Sequence, residues 1–138
     1  MANRVRPVVE ICKKEEGSQE IYYQLGSILD AISNGNSNGQ QYCKVEYRVR
    51  NADNTTSMVT EVVAASDIRP QPEPPATAEF SVSQKVNVYK NGGWRVGNVT
   101  AKVDQLNYIV RFLGSGNEEM FLRHSLRLHQ DWVNGNWI

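Results

Sequence analysis

Four short motifs occur twice in this 138-residue chain, in the same order. Val9-Glu10-Ile11 matches Val86-Asn87-Val88, and Leu25-Gly26-Ser27-Ile28 matches Val96-Gly97-Asn98-Val99. Val45-Glu46-Tyr47 then matches Val110-Arg111-Phe112, and Asp67-Ile68-Arg69 matches Ser125-Leu126-Arg127. Length alone fits one ordinary domain or two very small ones. The ordered repeat decides for one small unit written twice, the first copy carrying the longer loops.

The unit is clearest in the second copy. Val86 and Val88 on one side, and Val96 and Val99 on the other, flank Asn91-Gly92, the strongest short hairpin signal a sequence offers. Trp94 opens the returning strand, Gly97 removes bulk in its middle, and Tyr108, Val110 and Phe112 make a third run of period two. In the first copy Val5, Val8, Val9 and Ile11 predict a strand, and Lys13, Lys14, Glu15, Glu16 and Gly17 a solvated loop. Over Ile21 to Ile32 a helix competes, because Leu25, Ile28, Leu29 and Ile32 have helical spacing; Tyr22-Tyr23 and Gly26 favour a strand. Residues 33–41, with two Asn-Gly pairs, predict an exposed loop. Tyr42, Cys43, Val45, Tyr47 and Val49 form a third strand, with Lys44, Glu46 and Arg48 on its opposite face. Met58, Val59, Val62 and Val63 supply a fourth.

Pro72, Pro74 and Pro75 make the next stretch extended and stiff, at about 3.1 Å per residue. The expected fold is therefore all-β: two small tandem barrels packed side by side. The first barrel is expected over residues 1–71, a Pro-rich linker over 72–77 and the second barrel over 78–138.

Charge narrows the function. Fifteen basic residues balance fifteen acidic ones, with a sequence pI near 6.7. A dedicated nucleic-acid binder carries a basic excess, and this chain has none. Apolar runs fall far short of the roughly 20 residues that span a bilayer. Arg4, Arg6, Pro7 and Glu10 also interrupt any signal region behind Met1, so a soluble intracellular protein is expected. Cys12 and Cys43 lack neighbours at metal-ligand spacing and read as reduced, packed thiols, with a disulfide as the alternative if their strands adjoin. The sequons at Asn54 and Asn98 read as chance matches, Asn98 lying inside a predicted strand. His124 and His129 are the only histidines and read as surface or hydrogen-bonded residues. With no phosphate loop, nucleophile elbow or metalloprotease helix, no enzyme activity, cofactor or metal is expected.

What the pattern can offer is a surface for a cation. Aromatic faces attract an organic cation, each contributing about 0.5 to 2 kcal/mol. The candidates are Tyr22, Tyr23 and Tyr47 in the first copy and Tyr89, Trp94 and Phe112 in the second. Asp53, or Glu118 with Glu119, could pair with the charge from the following loop. Tyr47 and Phe112 read equally well as core, whereas Trp94, just after a turn, suits a surface role. Glu15, Glu16 and Glu20 could face a basic peptide, and Trp132 and Trp137 read as closing the second barrel or packing between copies.

The segment from Val86 to Val99, the ending from Leu126 to Trp137 and the first-copy ending Ser66-Asp67-Ile68-Arg69-Pro70 together resemble the plant Agenet domain, an SH3-like or Tudor-like barrel of the Royal group, as a tandem pair. The likeness is strong in the second copy and weaker in the first. Where the family pattern has two adjacent tryptophans after the turn, this chain has Trp94-Arg95. In the first copy Ser18, Gln19, Tyr22 and Tyr23 stand where a loop aromatic and a strand-opening tryptophan are usual. The resemblance implies a monomeric nuclear chromatin reader that binds a histone tail, of histone H-three above all, often through methylated lysine, alongside other chromatin proteins. Two alternatives stand beside it. One is a protein-interaction module with vestigial cages; the other is nucleic-acid binding through Lys85, Lys90, Arg95, Lys102 and Arg111, with Trp94 and Tyr89 as stacking surfaces.

Overall fold

The computed structural model describes residues 7–15, 17, 20–32, 41–73 and 79–138. Val5, Glu16, Ser18, Gln19, residues 33–40 of the predicted loop and residues 74–77 of the predicted linker lie outside the described residues. Among the described residues every regular element is a strand, apart from two single 3-10 turns. The chain divides into two compact units: one of Met1–Cys12 with Gln24–Gln71, the other of Lys13–Tyr23 with Pro72–Ile138.

The first unit is built from β1 (Val8–Lys14) as far as Cys12, β2 (Ile21–Ile32) from Gln24 onward, β3 (Tyr42–Arg50), β4 (Thr56–Ala64) and β5 (Ile68–Pro70), with a 3-10 turn at Ala65–Asp67 before the last strand. Tyr-Tyr and Gly26 outweigh the helical spacing, and Ile21–Ile32 is a strand. β1 pairs with β5 and neighbours β2, β2 pairs with β3, and β3 pairs with β4 along nine residues. Alternation explains the core: Val45 and Tyr47 point inward beside Val9 and Ile11, with Cys43, Val49, Val59, Val63 and Ile68 packed around them. Each fully buried aliphatic side chain contributes about 1.5 to 3 kcal/mol.

The second unit repeats that plan with β6 (Lys85–Lys90), β7 (Gly93–Lys102), β8 (Asn107–Phe112), β9 (Glu118–Leu122), a 3-10 turn at Arg123–Ser125 and β10 (Leu126–Leu128). β10 pairs with β6, β6 with β7, β7 with β8 and β8 with β9. Asn91 and Gly92 have φ of 55° and 81°, the left-handed pair that the predicted two-residue hairpin needs. Its core is Val86, Val88, Val99, Tyr108, Val110 and Leu126, closed by Phe80 and Phe112.

The repeat holds residue by residue. Gly26 lies opposite Tyr47 and Gly97 opposite Phe112, each beside a strand whose register shifts two residues further on. A Cβ at Gly26 would fall 2.8 Å from the Glu46 carbonyl, and one at Gly97 would fall 2.6 Å from Val110 Cγ1. Both strands can come this close only because these residues have no side chain.

The chain ends in a separate hairpin, β11 (Trp132–Val133) and β12 (Asn136–Trp137), turning on Asn134 and Gly135 at φ of 51° and 79°. Trp132 and Trp137 face each other across it with ring centroids 4.9 Å apart.

Candidate functional site

The alternation that buries Val86 and Val88 turns Asn87 and Tyr89 to the other face of β6. There Arg127, opposite Asn87 on β10, donates from Nε to Asn87 Oδ1 at 3.0 Å. With that oxygen taken, the Asn87 amide nitrogen, 2.9 Å from His129 Nδ1, is the donor. His129 therefore carries its proton on Nε2 and donates to Asp131 Oδ1 at 2.9 Å. The Arg127 guanidinium also lies 4.2 Å from the Trp94 ring centroid, and Tyr89 meets Trp94 edge-on at 5.2 Å. One face of Trp94, a nominated cage residue, thus already holds a cation from its own chain.

The segment Lys13–Tyr23 counts with this second unit. A Cβ on Gly114 would sit 2.4 Å from Glu20 Cα, and one on Gly93 would sit 3.1 Å from Tyr22 Cδ2. These close approaches fix Glu20 and Tyr22 against the unit. Arg95 is held between the carboxylates of Glu15, at 3.3 Å, and Glu20, at 3.6 Å, with its guanidinium 4.8 Å from the centre of the Tyr22 ring. Tyr23 lies beside His129, ring centroids 6.4 Å apart.

Two clefts open on this unit. One, of about 300 Å³, is lined by Glu20, Tyr23, Lys85, Leu113, His129 and Asp131 among others. The other, of about 350 Å³, has Glu15, Glu20, Lys90, Arg95, Phe112 and Glu119 in its wall. Lys90 donates to Glu119 at 2.7 Å with its Nζ 5.6 Å from the Phe112 ring centre, and Arg111 donates to Glu118 at 2.6 Å.

The nominated residues are distributed unevenly. Tyr23 reaches the first cleft, Phe112 and Glu119 the second. Tyr89 and Trp94 form a pair on the sheet face, and Tyr22 stacks with Arg95. Tyr47 lies in the first unit's core with its hydroxyl donating to Glu61 at 3.0 Å, and Phe112 is only 4% exposed, so both have a packing role. The Asp53 carboxylate accepts from the Thr55 amide and hydroxyl, which holds it below the usual carboxylate range. Among the described residues no three His, Cys, Asp or Glu side chains gather as a metal site, and no helix is long and apolar enough to cross a membrane.

A crystal structure of Arabidopsis thaliana AGDP1 AGD34 matches 96% of this chain and 86% of that one, at 30% identity and a TM-score of 0.80. The chain belongs to the Agenet domain family. A crystal structure of ADCP1 tandem Agenet domain 3-4 agrees, at 28% identity, a TM-score of 0.76 and coverage of 96% and 84%. The Agenet domain model itself matches residues 8–73. That is the half with the weaker motif likeness; the second half shows its Agenet character through the repeated strand plan and the solved relatives. Among curated Arabidopsis thaliana proteins, Protein AGENET DOMAIN (AGD)-CONTAINING P1 is 31% identical over 94% of the chain, and DUF724 domain-containing protein 3 is 27% identical over 95%. The chain spans 24% and 19% of those two proteins. It is a tandem Agenet segment and, among the described residues, all-β.

Sequence reasoning missed the partners of the nominated rings. Arg127 on Trp94 and His129 between Asn87 and Asp131 were legible only in outline, through the motif repeat that sets Asn87-Arg127 in the place of Glu10-Arg69.

Proposed function

We propose that this Agenet pair binds the basic tail of a histone in the nucleus, with lysine methylation read by aromatic contact. The observation that carries this reading is Glu20. Its residue is only 9% exposed, it lines both clefts, and each cleft has more carboxylates than cations: Glu15, Glu20 and Glu119 against Lys90 and Arg95 in one, Glu20 and Asp131 against Lys85 in the other. A partly enclosed acidic wall favours cationic side chains, because screening by solvent is reduced there. Tyr23 and Phe112 add an aromatic surface to each cleft.

Nucleic acid fits less well. Of the five cations suited to phosphate, Lys90, Arg95 and Arg111 are already paired with carboxylates. A protein-interaction module without methyl reading is favoured by one fact, the occupation of Trp94 by Arg127. An NMR titration with matched methylated and unmethylated histone-tail peptides separates the readings. Tail reading predicts shifts at Glu20, Tyr23 and Phe112 that are larger for the methylated form. Equal responses favour a basic-peptide interaction without methyl selection, and no response to either peptide rejects tail reading.

A further inference from the structure

The cleft beside Phe112 already contains an ammonium. Lys90 Nζ is 2.7 Å from Glu119 Oε2 and 5.6 Å from the centre of the Phe112 ring. A carboxylate and an aromatic ring are the two kinds of group that receive a lysine-type cation from a ligand. We propose that Lys90 is an internal competitor, seated where the ammonium of a bound tail belongs, and that it must swing out before a ligand enters. The inference rests on the tail-binding reading and adds a gate to it.

The two cations lining this cleft differ in how they are held. Arg95 has a side chain only 12% exposed, two carboxylate neighbours and the Tyr22 ring against it. Its planar fork is fixed by several partners at once. Lys90 has a side chain 37% exposed, Glu119 is 46% exposed, and the pair sits at the mouth of the Asn91-Gly92 turn. An exposed lysine–carboxylate pair is weak and its four-carbon stem is flexible, so this contact opens readily. While it is closed, the apparent affinity for an outside ammonium is lowered by the fraction of molecules with the site open. Lys90 thereby sets a threshold that only a cation with better aromatic contact, or with neighbouring charges bound elsewhere, overcomes.

The test titrates wild type, Lys90→Gln, Lys90→Arg and Glu119→Gln with unmethylated and trimethylated histone-tail peptides, followed by NMR, with a thermal melt of each variant. Lys90→Gln keeps most of the stem and removes the charge. Its affinity is expected to rise about three- to thirtyfold, the range given by losing one exposed ion pair and one cation–π contact. Lys90→Arg is expected to bind as wild type does, and Glu119→Gln, which weakens the internal and the incoming cation alike, to differ from wild type less than Lys90→Gln does. Equal affinity for wild type and Lys90→Gln, with signals of Asn91, Ser115, Asn117 and Glu119 moving, overturns the gate and leaves tail reading standing. Binding that moves other signals alone does the same. No binding by any variant overturns both.

Discussion

Arg127 Nε donates to Asn87 Oδ1 over 3.0 Å. At the matching place in the first unit Arg69 Nε donates to Glu10 Oε1 over the same distance, with Nη2 a further 2.9 Å contact. One register position thus carries a buried ion pair in one copy and a charge–amide bond in the other, and the second copy spends its remaining amide group on His129.

Glu10→Ala takes the carboxylate from a buried guanidinium, a loss of about 3 to 5 kcal/mol for pairs of this kind. Glu10→Gln retains an oxygen for Arg69, as Asn87 does for Arg127, and costs less. Urea unfolding of the two variants measures the difference.

Asn87→Asp replaces a donor to His129 Nδ1 with an acceptor. Two acceptors then face each other unless the imidazole gains a proton there, and Asp131 at Nε2 stabilises the cation formed while Arg127 opposes it. His129 is expected to titrate at higher pH than in wild type, followed by its ring proton signals in NMR.

Trp94→Ala uncovers the Arg127 guanidinium and removes the edge contact of Tyr89. The lost cation–π and ring contacts are worth about 1 to 3 kcal/mol together, seen as a lower melting temperature. Trp94→Phe keeps a face for the guanidinium and is expected to recover part of it.

Gly97→Ala places a methyl 2.6 Å from Val110 Cγ1 and 2.7 Å from the Arg111 carbonyl. Overpacking at such a site costs about 1 to 3 kcal/mol. Gly26→Ala, with 2.8 Å to Glu46 and 2.9 Å to Ile11, is expected to cost a similar amount, and chemical denaturation of the pair tests the equivalence of the two positions.

The carboxyls of Asp53 and Asp104 are held below the usual range, Asp53 by Thr55 and Asp104 chiefly by the Leu106 amide with Asn107. A lowered folded value means stability that is present above the unfolded value and lost as pH falls through the folded one. Acid titration of the two carboxyl carbons by NMR should show midpoints below that of a free aspartate. The Cys12 thiol moves the opposite way, raised first by burial, then by Asp67, with Arg69 opposing. Its folded form keeps the proton, so the linked stability fades as pH rises past the unfolded thiol's value, and alkylation of Cys12 at neutral pH should be slow.

Most of the fold was legible because its signals are local. Period two marks Tyr42 to Val49, Asn91-Gly92 fixes a turn, and the order of motifs exposes the repeat. Gly26 and Gly97 could be paired from that order alone. The rings were harder. A strand's inward or outward face is visible in sequence, but which cation lies over Trp94 depends on β10 returning beside β6, a contact across forty residues of chain. Tyr22 and Tyr23 were assigned by their place in the first motif set, whereas packing of Gly93 and Gly114 against residues 20–23 groups them with the second unit. Trp132 and Trp137 face one another because Asn134-Gly135 is itself a hairpin turn, a signal of the same kind as Asn91-Gly92.

That last pair has an optical consequence. The indoles of Trp132 and Trp137 are tilted by 59° at close range, a chiral arrangement of two identical chromophores whose transitions couple. Trp94, the chain's third tryptophan, is partnered by a tyrosine instead. A split ultraviolet dichroism band would therefore report the closing hairpin by itself, a built-in gauge of whether the last eight residues are zipped while the rest of the chain is melted or titrated.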